Sequence, residues 1–284
     1  MFDYSDPNFD WFSVDAYTSG SANLGQIRLE DWDQTEDYLR PLRNLSWGKK
    51  EDNFYYWYRV KKEAQLIEKQ RNKKESLNYI TAEFNKISNP NNKILFDIAN
   101  FYKNSKKYEE AIKYYTKVIN TADDISEIKS DLFYRRGGSY ERIGKYKKAD
   151  DDLLNALKID PDDAYVLNYL AYSWLERDYK IKEAIEMLEK AYSFKSNDPY
   201  IIDSIGWAYY LNEDYLKAEK FLKRAVEIMP NDPIVNDHYG DILWKLDRKI
   251  QARYFWGNVL EMDDAEKDMI ENINIKMIKG LVNS

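Results

Sequence analysis

From Leu95 to Trp256, one pattern of small and large apolar residues returns about every 34 or 35 residues. One series of small residues is Ala99, Gly137, Ala171, Gly206 and Gly240, and a second is Ala111, Ala149, Ala184, Ala218 and Ala252. A period of this length is typical of stacked helical hairpins, because a single hairpin cannot bury its apolar face alone. The repeat therefore predicts an all-α solenoid and not a compact enzyme core.

The small residues predict where the two helices of a hairpin approach closely. In the unit that begins at Pro199, Gly206 shares one helical face with large apolar residues, and Ala218 holds the small position of the next helix. We therefore expect Gly206 and Ala218 to face each other.

Acidic residues mark the predicted helix starts. Asp198-Pro199 and Asp232-Pro233 combine a good N-cap with a proline at the first helical position. The acidic clusters Asp160–Asp163 and Asp263–Asp264 lack the loop spacing and the glycine turn of a calcium site, so we interpret them as helix caps too.

These residues resemble the tetratricopeptide repeat family. When the units are counted from Asn92, Ser130, Ala164, Pro199 and Pro233, position eight holds Ala or Gly in all five. Position twenty holds Ala in four units, and in the third unit Ala184 follows one place later because its turn has one extra residue. The resemblance implies a right-handed superhelical solenoid of helix-turn-helix hairpins over residues 92–263. The last three units also resemble uncharacterised bacterial proteins of this family, many of them exported.

The two ends depart from the repeat. Residues 51–91 are interpreted as a degenerate hairpin of the same kind. Residues 264–284 place Ile270, Ile273, Met277 and Leu281 on one stripe, which predicts a C-terminal helix that caps the end of the stack.

The first 50 residues form an acidic, aromatic-rich segment of unknown fold. Residues 1–46 hold nine acidic and three basic residues, whereas the whole chain has a net charge of −7. Because a segment with this many aromatic residues is unlike a disordered tail, we expect it to dock on the basic stretch Lys49–Lys74 or in the groove of the solenoid.

The family resemblance implies a partner-binding surface. In that family the first helices of successive units line a concave groove, through positions that include five, nine and twelve. The candidate partner-binding residues at those positions are Phe96, Asn100, Tyr134, Asn168, Tyr172, Asp203, Trp207, Tyr210, Asp237, Asp241 and Trp244.

Two patterns stand out among these candidates. A polar ladder consists of Asn168, Asp203 and Asp237, and an aromatic wall consists of Tyr134, Tyr172, Trp207, Tyr210 and Trp244. The ladder is suited to an extended peptide backbone and the wall to side-chain anchors, and the carboxylates favour a basic partner. The alternative is that these side chains only contact neighbouring helices. The family's carboxylate clamp for chaperone tails is not expected, since only Asn100 matches it.

Little in the sequence indicates catalysis. His238 is the only histidine, at a position that we expect to be partly exposed, and the chain has no cysteine. We therefore predict neither enzyme activity, nor a cofactor, nor a metal site. The acidic net charge argues against nucleic-acid binding, and no apolar run of about 18 residues indicates a membrane span.

The sequence thus favours a non-catalytic scaffold or adaptor that binds a peptide or protein segment in its groove. An accessory module of an enzyme, whose catalytic part is residues 1–50 or a partner chain, is one alternative. A structural subunit of a larger assembly, such as one in the envelope, is another. Because the N-terminus lacks an apolar signal stretch, we expect a cytoplasmic location, or a periplasmic or envelope-associated one if the chain is processed. The oligomeric state stays open.

Overall fold

A computed structural model describes residues 53–121 and 128–281, and within these two stretches every regular element is a helix. The all-α fold is confirmed for this part of the chain. The helices are α1 (Asn53–Gln70), α2 (Lys73–Phe84), α3 (Asn92–Asn104), α4 (Tyr108–Thr121), α5 (Lys129–Arg142), α6 (Tyr146–Ile159), α7 (Ala164–Leu175), α8 (Ile181–Phe194), α9 (Pro199–Leu211), α10 (Tyr215–Ile228), α11 (Pro233–Lys245), α12 (Lys249–Val259) and α13 (Lys267–Lys279). The acidic segment 1–50 lies outside the described residues.

The chain divides into two compact units, one ending at Tyr114 and the other beginning at Tyr115. In the first unit α1 packs against α2, and α2 packs against α3. The buried hydroxyl of Ser76 donates to the carbonyl oxygen of Ala64 at 2.7 Å, which ties the two helices of the first hairpin together. The indole nitrogen of Trp57 donates to Asp97 at 2.9 Å and so connects α1 to α3.

The second unit is a stack of hairpins. Its pairs are α5 with α6, α7 with α8, α9 with α10, and α11 with α12. Each second helix also packs against the first helix of the next hairpin, and α12 packs against α13 in the same way. One continuous apolar core runs through this stack from Leu153 to Ile273. The first helices α7, α9 and α11 also contact one another in order, so their side chains meet along one face.

The lack of a side chain at Gly206 leaves room for the side chain of Leu222. A β-carbon on Gly206 would lie 2.7 Å from Cγ of Leu222 and 3.0 Å from its backbone nitrogen. The nearest neighbour of Gly206 is therefore Leu222, one turn beyond the Ala218 that the sequence led us to expect. Helical side chains lean toward the N-terminus of their own helix, so Leu222 covers the turn where Gly206 approaches.

Carboxylates begin three of the first helices. The caps are confirmed where Asp precedes the helix, because each side chain accepts hydrogen bonds from two backbone N–H groups, and these residues are Asp163, Asp198 and Asp232. The prediction for Asp263–Asp264 is wrong. The chain first makes another turn, in which the Ala265 N–H donates to the Met262 carbonyl, and α13 starts only at Lys267.

Helix α13 lies on the last hairpin with one apolar side inward. Ile273 is fully buried, and Met277 and Leu281 pack against the core of the second unit. On the opposite side Ile278 is 79% exposed. The guanidinium Nε of Arg253 donates to the Met277 carbonyl oxygen at 3.1 Å, which fixes the height of α13 against α12.

Two glycines on adjoining helices allow a matched test of the close approach. A β-carbon on Gly240 would overlap the indole ring of the fully buried Trp256, whereas a β-carbon on Gly257 would meet nothing within 4 Å. We expect Gly240→Ala to lower the free energy of unfolding by about 1–3 kcal/mol through overpacking. Gly257→Ala should raise it by about 0.5–1 kcal/mol, because alanine is the better helix former. Urea denaturation of both variants checks this, and an equal effect of the two would contradict the proposed packing.

Candidate functional site

The facing sides of α7, α9 and α11 bring six of the predicted residues together. We call this set the groove cluster; it consists of Tyr172, Asp203, Trp207, Tyr210, Asp237 and Asp241. Electrostatics link its members across the helices. Burial raises the pKa of the Tyr172 hydroxyl, and the carboxylates of Glu176, Asp203 and Asp237 raise it further. Acidic groups from α9, from α11 and from the residue that ends α7 therefore act on one phenol.

A second tyrosine reports the same concentration of negative charge. Burial raises the pKa of Tyr210, and the carboxylates of Asp241 and Asp237 add to the increase. Asp237 and Asp241 lie on one face of α11 because four residues make about one helical turn. Asp237 influences both Tyr172 and Tyr210, so it lies at the centre of the groove cluster.

His238 joins α11 to α9 beneath this cluster. Its Nδ1 lies 2.9 Å from Oδ2 of Asp203, and both side chains are buried. The indole of Trp207 stacks on the His238 ring with a centroid distance of 4.1 Å and also on Tyr210 at 4.6 Å. The expectation that His238 is partly exposed is therefore wrong. Its side chain enters the space between two first helices, where Asp203 compensates for the loss of water.

A lysine from α13 occupies the other end of the cluster. Nζ of Lys276 lies 2.5 Å from Asp237 and 2.8 and 2.9 Å from the two oxygens of Asp241. Asp241 also accepts a hydrogen bond from the Trp256 indole at 2.9 Å. Burial raises the pKa of Asp241 to about 6, the negative charge of Asp237 adds to the increase, and the Lys276 ammonium opposes it.

An open pocket of about 410 Å³ lies beside this lysine, between α11 and α13. It is lined by Asp237, Met269, Asn272, Ile275, Lys276, Gly280 and Leu281. Gly280 has a φ of +72°, and a β-carbon there would overlap the ring of Trp244. The ring centroid of Trp244 lies 5.4 Å from that of Trp256. In the described part of the chain, Trp244 therefore packs against Trp256 and Gly280, and the predicted contact with Trp207 is not among its ring contacts.

The remaining predicted residues are distributed over other surroundings. Asn168 on α7 is half-buried, and its Oδ1 is buried without a hydrogen-bond partner in the described part of the chain. Tyr134 on α5 makes an edge-to-face contact with Tyr169 at 5.6 Å. Phe96 and Asn100 lie half-buried on α3, in the first unit.

Three residues of the site were missed by reasoning from the sequence: His238, Trp256 and Lys276. For His238 a signal existed, because it follows Asp203 by 35 residues, which is one repeat. For Lys276 none existed, since only the docking of α13 determines which of its residues faces Asp237.

Two negative findings apply to residues 53–121 and 128–281. No three side chains of the metal-ligating kinds His, Cys, Asp and Glu form a group that could hold an ion there. No helix in those stretches combines the length and the apolar character that crossing a membrane requires.

The buried His238–Asp203 pair predicts a pH dependence of stability. Burial by itself lowers the pKa of His238, but the carboxylates of Asp203, Asp237 and Asp241 raise it above its ordinary value, which is about 6.5. The folded state then binds the proton more tightly, so this stabilisation is complete below that value and is lost as the pH rises through the raised pKa.

We therefore expect the stability gap between the wild type and His238→Gln to be wide at acidic pH and to narrow at alkaline pH. Thermal melting followed by circular dichroism across this range measures the gap. Asp203→Asn is the matched control. It removes the carboxylate that pairs with His238, so the stability of this variant should vary much less with pH over the same range. A gap that stays constant with pH would contradict the ion pair.

Comparison with known proteins gives a consistent picture of the fold. A family model described as tetratricopeptide repeat matches residues 59–261. A TPR repeat-containing protein of Pseudomonas aeruginosa is 30% identical over 133 residues, which cover 47% of this chain but 20% of that relative. The chain thus matches one fifth of the length of this curated relative.

Solved structures are similar at lower identity. The match with the crystal structure of the APC/C hetero-tetramer Cut9-Hcn1 covers 89% of this chain and 46% of the matched chain, with a TM-score of 0.67 and 14% sequence identity. The match with the crystal structure of PilW, a widely conserved type IV pilus biogenesis factor, covers 68% of this chain and 87% of the PilW chain, with a TM-score of 0.58 and 18% sequence identity. At these identities the likeness concerns the fold alone.

Proposed function

The chain belongs to the tetratricopeptide repeat family, and from that premise we propose that it is a non-catalytic scaffold or adaptor. Its partner is a peptide or protein segment that binds along the face made by α7, α9 and α11. The observation that carries this proposal is the groove cluster, in which aromatic rings and carboxylates from three successive first helices converge on one surface.

The aromatic part of the cluster supports an anchoring role. Trp207 and Tyr210 are stacked and half-buried, so each keeps some of its ring surface available. His238 holds Trp207 from beneath and limits its rotation. Rigid aromatic residues of this kind dominate the energetics of protein interfaces, because they bury a large area at a small entropic cost.

Asn168 supports the binding of a backbone. Its amide oxygen is buried and unpaired in the described part of the chain, and an unsatisfied acceptor costs about 1–3 kcal/mol. A small reorientation of the amide would let this oxygen accept a hydrogen bond from a backbone N–H of an incoming segment. The other two members of the polar ladder already have partners in the chain, Asp203 with His238 and Asp237 with Lys276.

The charge of the cluster supports a basic partner. Its carboxylates are those of Asp203, Asp237 and Asp241, and the cation in contact with two of them is Lys276. The raised pKa of Asp241, about 6, is the result expected where burial and a neighbouring carboxylate outweigh the compensating charge. A segment that carries lysine or arginine would relieve this repulsion.

The test compares groove variants with a control on another surface. Once a partner has been recovered by affinity purification, its affinity is measured by isothermal titration calorimetry. Trp207→Ala should weaken binding by about 2 kcal/mol or more if the residue is an anchor. Asn168→Ala should weaken it by about 1 kcal/mol, the net value of one hydrogen bond. Binding should also weaken as salt is added.

Lys220→Ala serves as the control, since Lys220 is an exposed residue on α10 and not on a first helix. All variants are first melted, so that any loss of binding is separated from a loss of folding. If the Trp207 and Asn168 variants bind as well as the Lys220 control, the groove is not the binding surface.

A further inference from the structure

We propose that Asp237 and Asp241 form a subsite for a lysine or arginine side chain of the partner, and that Lys276 occupies this subsite in cis in the free protein. The inference rests on the proposed function and identifies the chemistry that the partner must supply. It also assigns the C-terminal helix α13 a second role, as a competitor for the groove.

The first support is the geometry around the Lys276 ammonium. Three carboxylate oxygens, one from Asp237 and two from Asp241, lie within 2.9 Å of its Nζ. The same Nζ lies 6.0 Å from the centre of the Trp256 ring. Carboxylates on one side and an aromatic face on the other are the surroundings that suit a primary ammonium or a guanidinium group.

The second support is that the occupant comes from outside the repeats. Asp237 and Asp241 lie on α11, the first helix of the last hairpin, whereas Lys276 lies on the helix that follows all the hairpins. Asp241 is held in place by the Trp256 indole and not by Lys276 alone. Asp241 would therefore keep its position if the lysine left.

The third support is that Lys276 can leave while α13 stays in place. Helix α13 is attached through Ile273, Met277 and Leu281 in the core, and through the bond from Arg253 to the Met277 carbonyl. None of these contacts involves the Lys276 side chain. Because the lysine stem is long and flexible, a rotation about its own bonds is enough to free both carboxylates.

The fourth support is the pocket of about 410 Å³ next to the ammonium. Met269, Ile275 and Leu281 give it apolar walls, and Asp237 provides a carboxylate. The aliphatic stem of an incoming lysine or arginine would pack on the walls while its cationic head reached Asp237. The pocket therefore fits one basic side chain, and the groove cluster beyond it takes the adjoining residues of the segment.

Occupation in cis has a consequence for specificity. A tethered lysine has a high effective concentration at the subsite, so it competes with every incoming segment. A segment without a cation that displaced Lys276 would leave Asp237 and Asp241 without a counter-charge and is rejected, whereas a basic segment replaces one ion pair with another. Lys276 thus acts against neutral partners more than against basic ones.

The test vacates the subsite and offers a small probe. Lys276→Met removes the ammonium but keeps the stem, and the probe is Nα-acetyl-lysine N-methylamide. Binding is followed by NMR through the indole N–H signal of Trp256, which donates to Asp241. We expect a saturable shift in the variant and binding at least roughly tenfold weaker in the wild type, where Lys276 competes.

Two controls make the outcome specific. Nα-acetyl-norleucine N-methylamide has a similar apolar stem without the charge and should not shift the Trp256 signal. Adding Asp237→Asn to the Lys276→Met variant should weaken binding of the lysine probe by about tenfold, because one charge-assisted contact is lost. Lys276→Gln is the second vacated variant if the methionine variant does not fold, as judged by its circular dichroism.

Equal binding of the lysine probe to wild type and vacated variant would overturn the proposal, as would no binding to a vacated variant that is folded. Because the probe is not a protein partner, either result leaves the comparison of Trp207→Ala with Lys220→Ala as a separate test of groove binding. Conversely, a positive result here with no effect of Trp207→Ala would keep the subsite and reject the proposed groove function.

Discussion

The close approach of paired helices at small residues is the constraint on which the second unit depends. Where α11 meets α12, Gly240 leaves room for the whole indole of Trp256, which is fully buried. The same indole donates its N–H to Asp241 at 2.9 Å. A packing requirement of the hairpin thus fixes the position of the carboxylate that follows Gly240 on α11. The helix packing and the candidate site are therefore coupled through Trp256, and a substitution at Gly240 that displaces this ring should also displace Asp241.

The polar groups of the site are arranged so that few charges are buried without compensation. Asp203 pairs with His238, and Asp237 and Asp241 share Lys276. Breaking a buried ion pair costs more than the pair contributes to stability, so these contacts hold the register of α9, α11 and α13 against one another. Three carboxylates, those of Asp203, Asp237 and Asp241, lie in this part of the second unit beside the two basic side chains of His238 and Lys276. The excess of carboxylates over basic side chains is the reason for proposing a basic partner.

Some side chains of the site have a partner within the fold and could still take part in binding. The difference between them is whether that partner can be replaced by a group of the bound segment. His238 is buried beneath Trp207 and supports it from within the fold. Lys276, by contrast, reaches Asp237 and Asp241 through a flexible stem and lies beside an open pocket. We therefore regard the Asp203–His238 pair as the fixed part of the site and the lysine contact as its exchangeable part. A partner would meet a rigid aromatic surface at one end and a replaceable cation at the other.

The sequence by itself determined the repeat, and with it the helices, the Asp caps at positions such as Asp198, and the face on which Asp237 and Asp241 both lie. These features are local, because helical periodicity and capping depend on residues a few positions apart. Only the tertiary structure decided that Leu222 fills the space at Gly206, that His238 turns inward to Asp203, and that Lys276 reaches α11. Each of these depends on how two helices dock, and docking is set by the fit of many side chains at once, which no periodic pattern encodes.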